Sequence, residues 1–193
     1  MAKDMNQRIL EATLEIVARE KISGTRMHLI AKEASMVQSN LHYYYPTKND
    51  LLVALLDDIQ ERFSEKRKGT IDLENKAFIE NLRGLFEEKK DDIINNKKID
   101  YAQFDYWVQG TVNPEIRSKF QKSFDIWRDN IKEVLKKRTL PEDVDEGRIQ
   151  MLPYFIVSLL MGASMQYLID EGKFDLDEYF KMAEKMILCF LGN

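Results

Sequence analysis

A chain of 193 residues can bury a real core as one large or two small domains, and 32% charged residues with only 8 Gly and 4 Pro exclude a disordered or all-β protein. The net charge of −4 excludes a surface coated in basic residues for indiscriminate nucleic-acid binding. The charge is uneven: residues 1–50 carry seven Lys/Arg against six Asp/Glu, and the remainder 22 against 27, so the N-terminal part is the less acidic.

In chain order, Met5 to Glu20 sets Met5, Ile9, Ala12, Thr13, Ile16 and Val17 on one helical stripe, with Asp4 as a candidate N-cap and Gly24 closing the region. The next stretch, Met27 to Leu51, has the spacing of a helix-turn-helix. Ile30 and Ala34 form the inner face of its first helix, Ala31 allows a close crossing, and Leu41 and Tyr44 form the inner face of a short second helix at about 37–43. Thr47 and Asp50 have capping-box spacing and open a linking helix through Leu51, Leu52, Leu55, Leu56, Ile59 and Phe63 to about Ser64. The charged run Glu65 to Gly69 reads as a loop.

Helices continue beyond it. Phe78, Leu82, Leu85 and Phe86 make one face, Asn95-Asn96 breaks the chain, and Tyr101, Phe104, Trp107 and Val108 make the next face. Asn113-Pro114 is an N-cap followed by a first-turn proline, opening a helix with face Ile116, Phe120, Phe124, Trp127, Ile131 and Leu135; Pro141 falls in the loop after it. Two last helices are expected at about 146–169 and 176–191, separated by Gly172, with Asp175 capping the second. Met151 to Ile169 holds nineteen residues without a charge, but its Pro153, Gly162, Ser158, Ser164 and Gln166 suit a buried helix better than a membrane span. The fold expected is all-α, about nine helices, with a helix-turn-helix domain at 1–46 and a second helical domain at 47–193.

Thr25, Met27, Ile30-Ala31, Ala34-Ser35-Met36, the Leu41-His42-Tyr43-Tyr44-Tyr45 cluster, Lys48 and Leu51 together resemble the TetR family of bacterial transcriptional regulators. The likeness covers about the first fifty residues. It implies a homodimer that binds a double-stranded DNA operator, by default as a repressor, with a small-molecule effector in the second domain. The second motif helix is then the recognition helix. Gln38 and Asn40 carry amides able to bind adenine in bidentate fashion, Ser39 lets the backbone approach the groove, and His42, Tyr43 and Tyr44 lie beside them. Thr25, Arg26 and Lys48 are the expected phosphate contacts. Ser35 stands where the family has a turn glycine, so a left-handed residue is expected there, and Val37 replaces the serine cap. A charged His42 on phosphate would make DNA affinity fall as pH rises; a neutral imidazole packed at the surface is the plainer reading.

Nine of twenty aromatics fall between Phe78 and Trp127, where the resemblance implies an effector pocket; aromatics at helical spacing also simply fill core. Candidate ligand residues are Phe86, Tyr101, Phe104, Asp105, Trp107, Phe120, Phe124 and Trp127. Asp105 is a counter-charge for a ligand, the partner of Arg117 or Arg128, or a carboxylate left at the helix edge. The last two helices suit a two-fold interface through Tyr154, Leu159, Met161, Gly162, Tyr179, Phe180, Ala183, Ile187 and Phe190, which implies a palindromic operator. The alternative function is a DNA-binding regulator or scaffold with a filled core, controlled by a protein partner. Two histidines, one cysteine, no glycine-rich phosphate loop and no metal-ligand spacing argue against an enzyme, a cofactor or a metal. Cys189 excludes an internal disulfide, and with no signal-like opening a cytoplasmic location is expected, without a membrane partner.

Overall fold

The computed structural model describes residues 2–137 and 146–192, and these form only helices and their connections. They are α1 (Ala2–Gly24), α2 (Met27–Glu33), α3 (Gln38–Tyr44), α4 (Lys48–Thr70), α5 (Phe78–Asn95), α6 (Lys97–Gly110), α7 (Pro114–Lys136), α8 (Glu146–Ile169) and α9 (Leu176–Phe190). Contacts divide them into two compact units: residues 1–64 with 97–121, and residues 65–96 with 122–193. The α4 and α7 segments each contribute to both. Pro141 lies outside the described residues.

Helix starts follow local side-chain chemistry. Asp50 and Thr47 exchange bonds at the head of α4, Thr47 N donating to Asp50 Oδ2 at 3.0 Å and Asp50 N to Thr47 Oγ1 at 3.1 Å. Asn113 Oδ1 accepts from Glu115 N at 3.0 Å ahead of α7, and Asp175 Oδ1 from Glu178 N at 3.0 Å ahead of α9. Two expectations fail. Asp4 lies inside α1, which begins at Ala2. The charged run 65–69 is the last part of α4, because Glu, Lys and Arg are good helix formers and Lys68 bonds Glu65 one turn back at 2.6 Å.

In the first unit Ile9, Ala12, Ile16, Ile30, Ala31, Ala34, Leu41 and Leu51 make a closed core, with α1 against α2 and α6, and α2 against α3. The face of α6 departs from its sequence pattern. Ala102 and Tyr106 are buried, Tyr106 Oη donating to Leu52 O at 2.7 Å, while Tyr101, Trp107 and Val108 are exposed. The hydroxyl of Tyr106 finds an acceptor within the core, and small Ala102 permits close packing, so this face wins over the more apolar one.

The second unit packs α5, α8 and α9 together, with Phe86 stacked on Phe180 at 5.2 Å between centroids. Leu82, Leu85, Ile131, Ile156, Leu160, Ala163 and Ile187 fill its interior. By length and composition α8 could cross a membrane, yet Leu152, Ile156, Leu160 and Ala163 put one face of it in this core.

Ser35, in the turn between α2 and α3, has φ 52°, the left-handed backbone that the missing glycine implied. Such a backbone costs a side-chain-bearing residue about 1–2 kcal/mol, of which glycine's own entropy returns about half. Ser35→Gly is therefore expected to stabilise the protein by about 0.5–1 kcal/mol, seen as a higher urea midpoint at unchanged m-value.

Candidate nucleic-acid interface

The motif helices are short, seven residues each, so their placement depends on tertiary anchors. Leu41 is the anchor of α3, fully buried against Ile30, Ala31 and Ala34. Fixing Leu41 inward leaves Gln38, Ser39, Asn40, His42 and Tyr43 exposed, and Tyr44 half-buried with its ring edge against Tyr43 at 5.5 Å. Val37 occupies the N-cap without a side-chain bond, as its chemistry requires.

His42 is wired into this row. Its Nδ1 lies 3.0 Å from Pro46 O, which only accepts, so Nδ1 carries the proton; its Nε2 then accepts from Gln38 Nε2 at 3.2 Å. That pairing holds the Gln38 side chain along the helix, so His42, exposed rather than packed, positions Gln38.

The expected phosphate contacts differ among themselves. Thr25 is buried and its hydroxyl donates to Lys21 O at 2.8 Å, so its side chain serves the turn rather than the surface. Arg26 is exposed, with Nη1 on Ser23 O at 2.7 Å and on Thr25 O at 3.0 Å, leaving its other donors outward. Lys48 Nζ donates to Ile22 O at 2.6 Å. Burial, and next the positive charge of Arg26, push the Lys48 ammonium below its ordinary range, while Asp105 acts the other way. Two cations close enough to oppose each other are a place where an anion is welcome. Sequence reasoning passed over two more. Arg8 and Lys32 are exposed in a cleft of about 580 Å³ shared with Asn40, Met36 and Tyr44. Their spacing carries no motif, and only the folding of α1 onto the turn brings Arg8 there.

Behind this surface lies a clamp. At Lys21 the backbone turns to φ 61°, ψ 166°, interrupting α1 and turning the Ile22 peptide groups away from the helix ladder. Asp105 of α6 accepts from Ile22 N, and Lys48 of α4 donates to Ile22 O. Neither sequence-based partner of Asp105 is the one found: Arg117 bonds Gly110 O at 3.0 Å, and Arg128 bonds Asp125 at 2.7 Å. The i-to-i+4 bookkeeping on α6 pointed Asp105 at an aromatic face that is in fact turned out.

Among the other expected ligand residues, Tyr101, Phe104, Asp105, Trp107 and Phe120 belong to the first unit, and Phe86, Phe124 and Trp127 to the second. Tyr101 is 39% and Trp107 46% exposed, so neither faces an interior; Lys21 Nζ sits 5.0 Å from the Tyr101 ring centroid. Phe86 and Phe120 are core. Of the expected interface residues, Phe180, Ala183 and Ile187 are buried within their own chain, while Tyr154 and Phe190 are exposed.

Asp105→Ala leaves the Ile22 N–H without its charged acceptor, and is expected to lower stability by about 1–3 kcal/mol in chemical denaturation of the protein alone. A residue serving only as a ligand counter-charge would leave that midpoint unmoved.

Residues 9–55 match the family described as bacterial regulatory proteins, tetR family. Along nearly its whole length the chain is similar in fold to solved regulators. A TetR transcription regulator from Haloarcula marismortui is 21% identical with a TM-score of 0.79, covering 98% of this chain and 97% of that one. A putative transcriptional regulator from Saccharomonospora viridis, in complex with choline, is 20% identical at TM-score 0.78, with 96% of each chain covered. FadR from Bacillus subtilis, in complex with stearoyl-CoA, is 17% identical at TM-score 0.76, covering 96% and 97%. The motif, the exposed row on α3 and the all-helical fold thus agree: residues 9–55 carry the helix-turn-helix of the tetR-family model, in a chain whose whole fold is that of the solved regulators.

Proposed function

We propose that the protein is a homodimeric repressor that binds a palindromic operator and leaves it when a small apolar or aromatic molecule binds. The observation that carries the DNA part is the α3 surface: Gln38, Ser39 and Asn40 stand exposed in succession on a helix whose opposite side is locked by Leu41. Bidentate amide contacts to adenine give Gln38 and Asn40 the base readout, and Arg8, Arg26, Lys32 and Lys48 supply attraction to phosphate. In this reading residues 1–46 bind DNA and 47–193 bind ligand and partner.

Dimerisation is supported by an apolar seam. On α8, Met151, Phe155, Ser158, Gly162, Met165 and Ile169 repeat at alternate spacings of four and three and lie on its outer side, and on α9 Met182, Met186 and Phe190 do the same at spacings of four. A Cβ at Gly162 would meet nothing, which leaves room for a second helix to come close. Two copies about a two-fold axis then form a four-helix interface, and two recognition helices related by that axis read inverted half-sites. These outward residues replace Phe180, Ala183 and Ile187 as the proposed contacts, since those three fill the chain's own core while α8 is apolar all round and the apolar stripe of α9 is wide.

Effector release draws on the neighbours solved with choline and with stearoyl-CoA. A ligand switches the protein only if it prefers the non-operator state by a few kcal/mol. A filled interior governed by a protein partner is the second reading, and the Phe86–Phe180 stack favours it. Release of operator by a member of a small-molecule library separates the two.

The primary test is binding to the DNA upstream of the protein's own gene, against a scrambled duplex, over a salt series. Tight binding with a large specific ratio is expected; equal weak binding to both overturns sequence-specific recognition there. Gln38→Ala or Asn40→Ala is expected to weaken operator binding about 10- to 100-fold while sparing the scrambled duplex. Arg8→Gln or Lys32→Gln should instead weaken both duplexes alike and flatten the log–log salt slope by about 1. For the interface, Phe155→Lys with Met186→Lys is expected to convert the dimer to monomer in sedimentation equilibrium without loss of helicity.

A further inference from the structure

Among the described residues of the second unit, four buried side-chain atoms have no hydrogen-bond partner: Ser164 Oγ on α8, and Arg67 Nε on α4, Glu88 Oε2 on α5 and Trp127 Nε1 on α7. The last three belong to one cluster. The Arg67 guanidinium lies over the Trp127 ring, 4.6 Å from its centroid. Its Nη2 stands 3.6 Å from Glu88 Oε1, an ion pair longer than a hydrogen bond, between side chains only 10% and 5% exposed. Burial pushes Glu88 up and Arg67 down from their ordinary ranges, each opposed by the other's charge. Buried polar atoms in folded proteins are nearly always bonded, so three neighbouring orphans mark a place built to receive something else.

The cluster also dictates what fits. It presents two N–H donors and one carboxylate acceptor, and therefore suits a group that accepts and donates at once. Within the cluster the charges already match, Arg67 against Glu88, and the nearby buried Asp92 pairs with the part-exposed Lys66 at 2.5 Å. An ionic headgroup would leave one charge unmatched in the interior, whereas a neutral polar group adds hydrogen bonds alone. The stacked Trp127 ring beside it offers apolar surface for the body of the molecule.

We infer that Arg67, Glu88 and Trp127 form the headgroup site of the effector, and that the headgroup is an uncharged carboxamide. Its carbonyl oxygen accepts from the Arg67 and Trp127 N–H groups, and its N–H donates to Glu88 Oε2. The assignment rests on the ligand-gated reading above and narrows it to a chemical class.

The test uses the full-length protein carrying Trp107→Phe, so that emission reports Trp127 alone. It is titrated with octanamide, octanoate and octylammonium, which share one chain length. Octanamide is expected to shift Trp127 emission saturably and to bind about 10-fold or more tighter than either ion, a difference of about 1.4 kcal/mol. Glu88→Gln leaves Arg67 unmatched, so octanoate should then overtake octanamide. Trp127→Phe keeps the ring and removes the donor, and should weaken octanamide about 5- to 10-fold by calorimetry, with an unchanged helical spectrum. Octanoate equal to or ahead of octanamide in the parent, an order unchanged by Glu88→Gln, or no saturable response to any probe overturns the headgroup site. A library compound that releases operator while ignoring both variants also overturns it, yet leaves ligand gating standing. Failure of every compound to release operator overturns ligand gating itself, whatever octanamide does at Trp127.

Discussion

The peptide of Ile22 is held from both sides by charge. Its N–H is accepted by Asp105 of α6 and its carbonyl receives the Lys48 ammonium of α4. Without that grip the turn at Lys21 would be hard to sustain, because φ 61°, ψ 166° is a region almost reserved for glycine, costing about 1–3 kcal/mol. Each charge-assisted bond contributes about 1.5–3 kcal/mol, so two of them outweigh the strain. Thr25 completes the turn by returning both its N–H and its hydroxyl to Lys21 O. The start of α2 is thereby set relative to α4 and α6, and α3 follows from α2 through Ile30, Ala31 and Leu41. The orientation of the recognition row therefore depends on a carboxylate eighty-three residues away in sequence.

What was legible in the sequence was local. Thr47 with Asp50, Asn113 with Pro114, and Asp175 with Glu178 each make their cap within a single turn, and each appears where the residue types require it. The left-handed Ser35 was readable for the same reason. Misreadings arose where the deciding partner was remote. Arg67 made 65–69 look like a solvated break, but it is buried against Glu88 and Trp127, neither of which lies near it in the chain. The face of α6 was set by a hydroxyl finding Leu52 O, not by counting aromatics. On α9 the apolar stripe is wider than the chain's own core needs, so periodicity gives its centre without saying that Met182 and Met186 at its edge stay outside.

On the surface proposed to face DNA, base readout and attraction to phosphate fall to different residues. The row Gln38, Ser39, Asn40 carries no charge, and an amide discriminates base edges through paired donor and acceptor geometry rather than through field strength. Cations stand around it, on α1 at Arg8, before α2 at Arg26, on α2 at Lys32 and at the head of α4 at Lys48. In the proposed reading a chain of net charge −4 can still attract DNA at this face: attraction needs a local cluster, and the acidic excess resides in residues 51–193. His42 fits the same division, since its two ring nitrogens lie against Gln38 and the Pro46 carbonyl.

The second unit contains the opposite arrangement, charge placed where apolar side chains would serve stability better. Replacing a buried ion pair by packed hydrophobic residues is commonly neutral or stabilising, so an ion pair as loose as 3.6 Å is a poor way to hold α4 to α5. The Phe86–Phe180 stack and the leucines around it already supply that cohesion. An arginine, a glutamate and an indole N–H kept together in such an interior, each with a bond left unmade, are therefore better accounted for by what they recognise than by what they stabilise. The same logic that makes Ile22 rigid, every polar group matched, makes this cluster receptive. One site is finished by the fold, and the other is left for a ligand to finish.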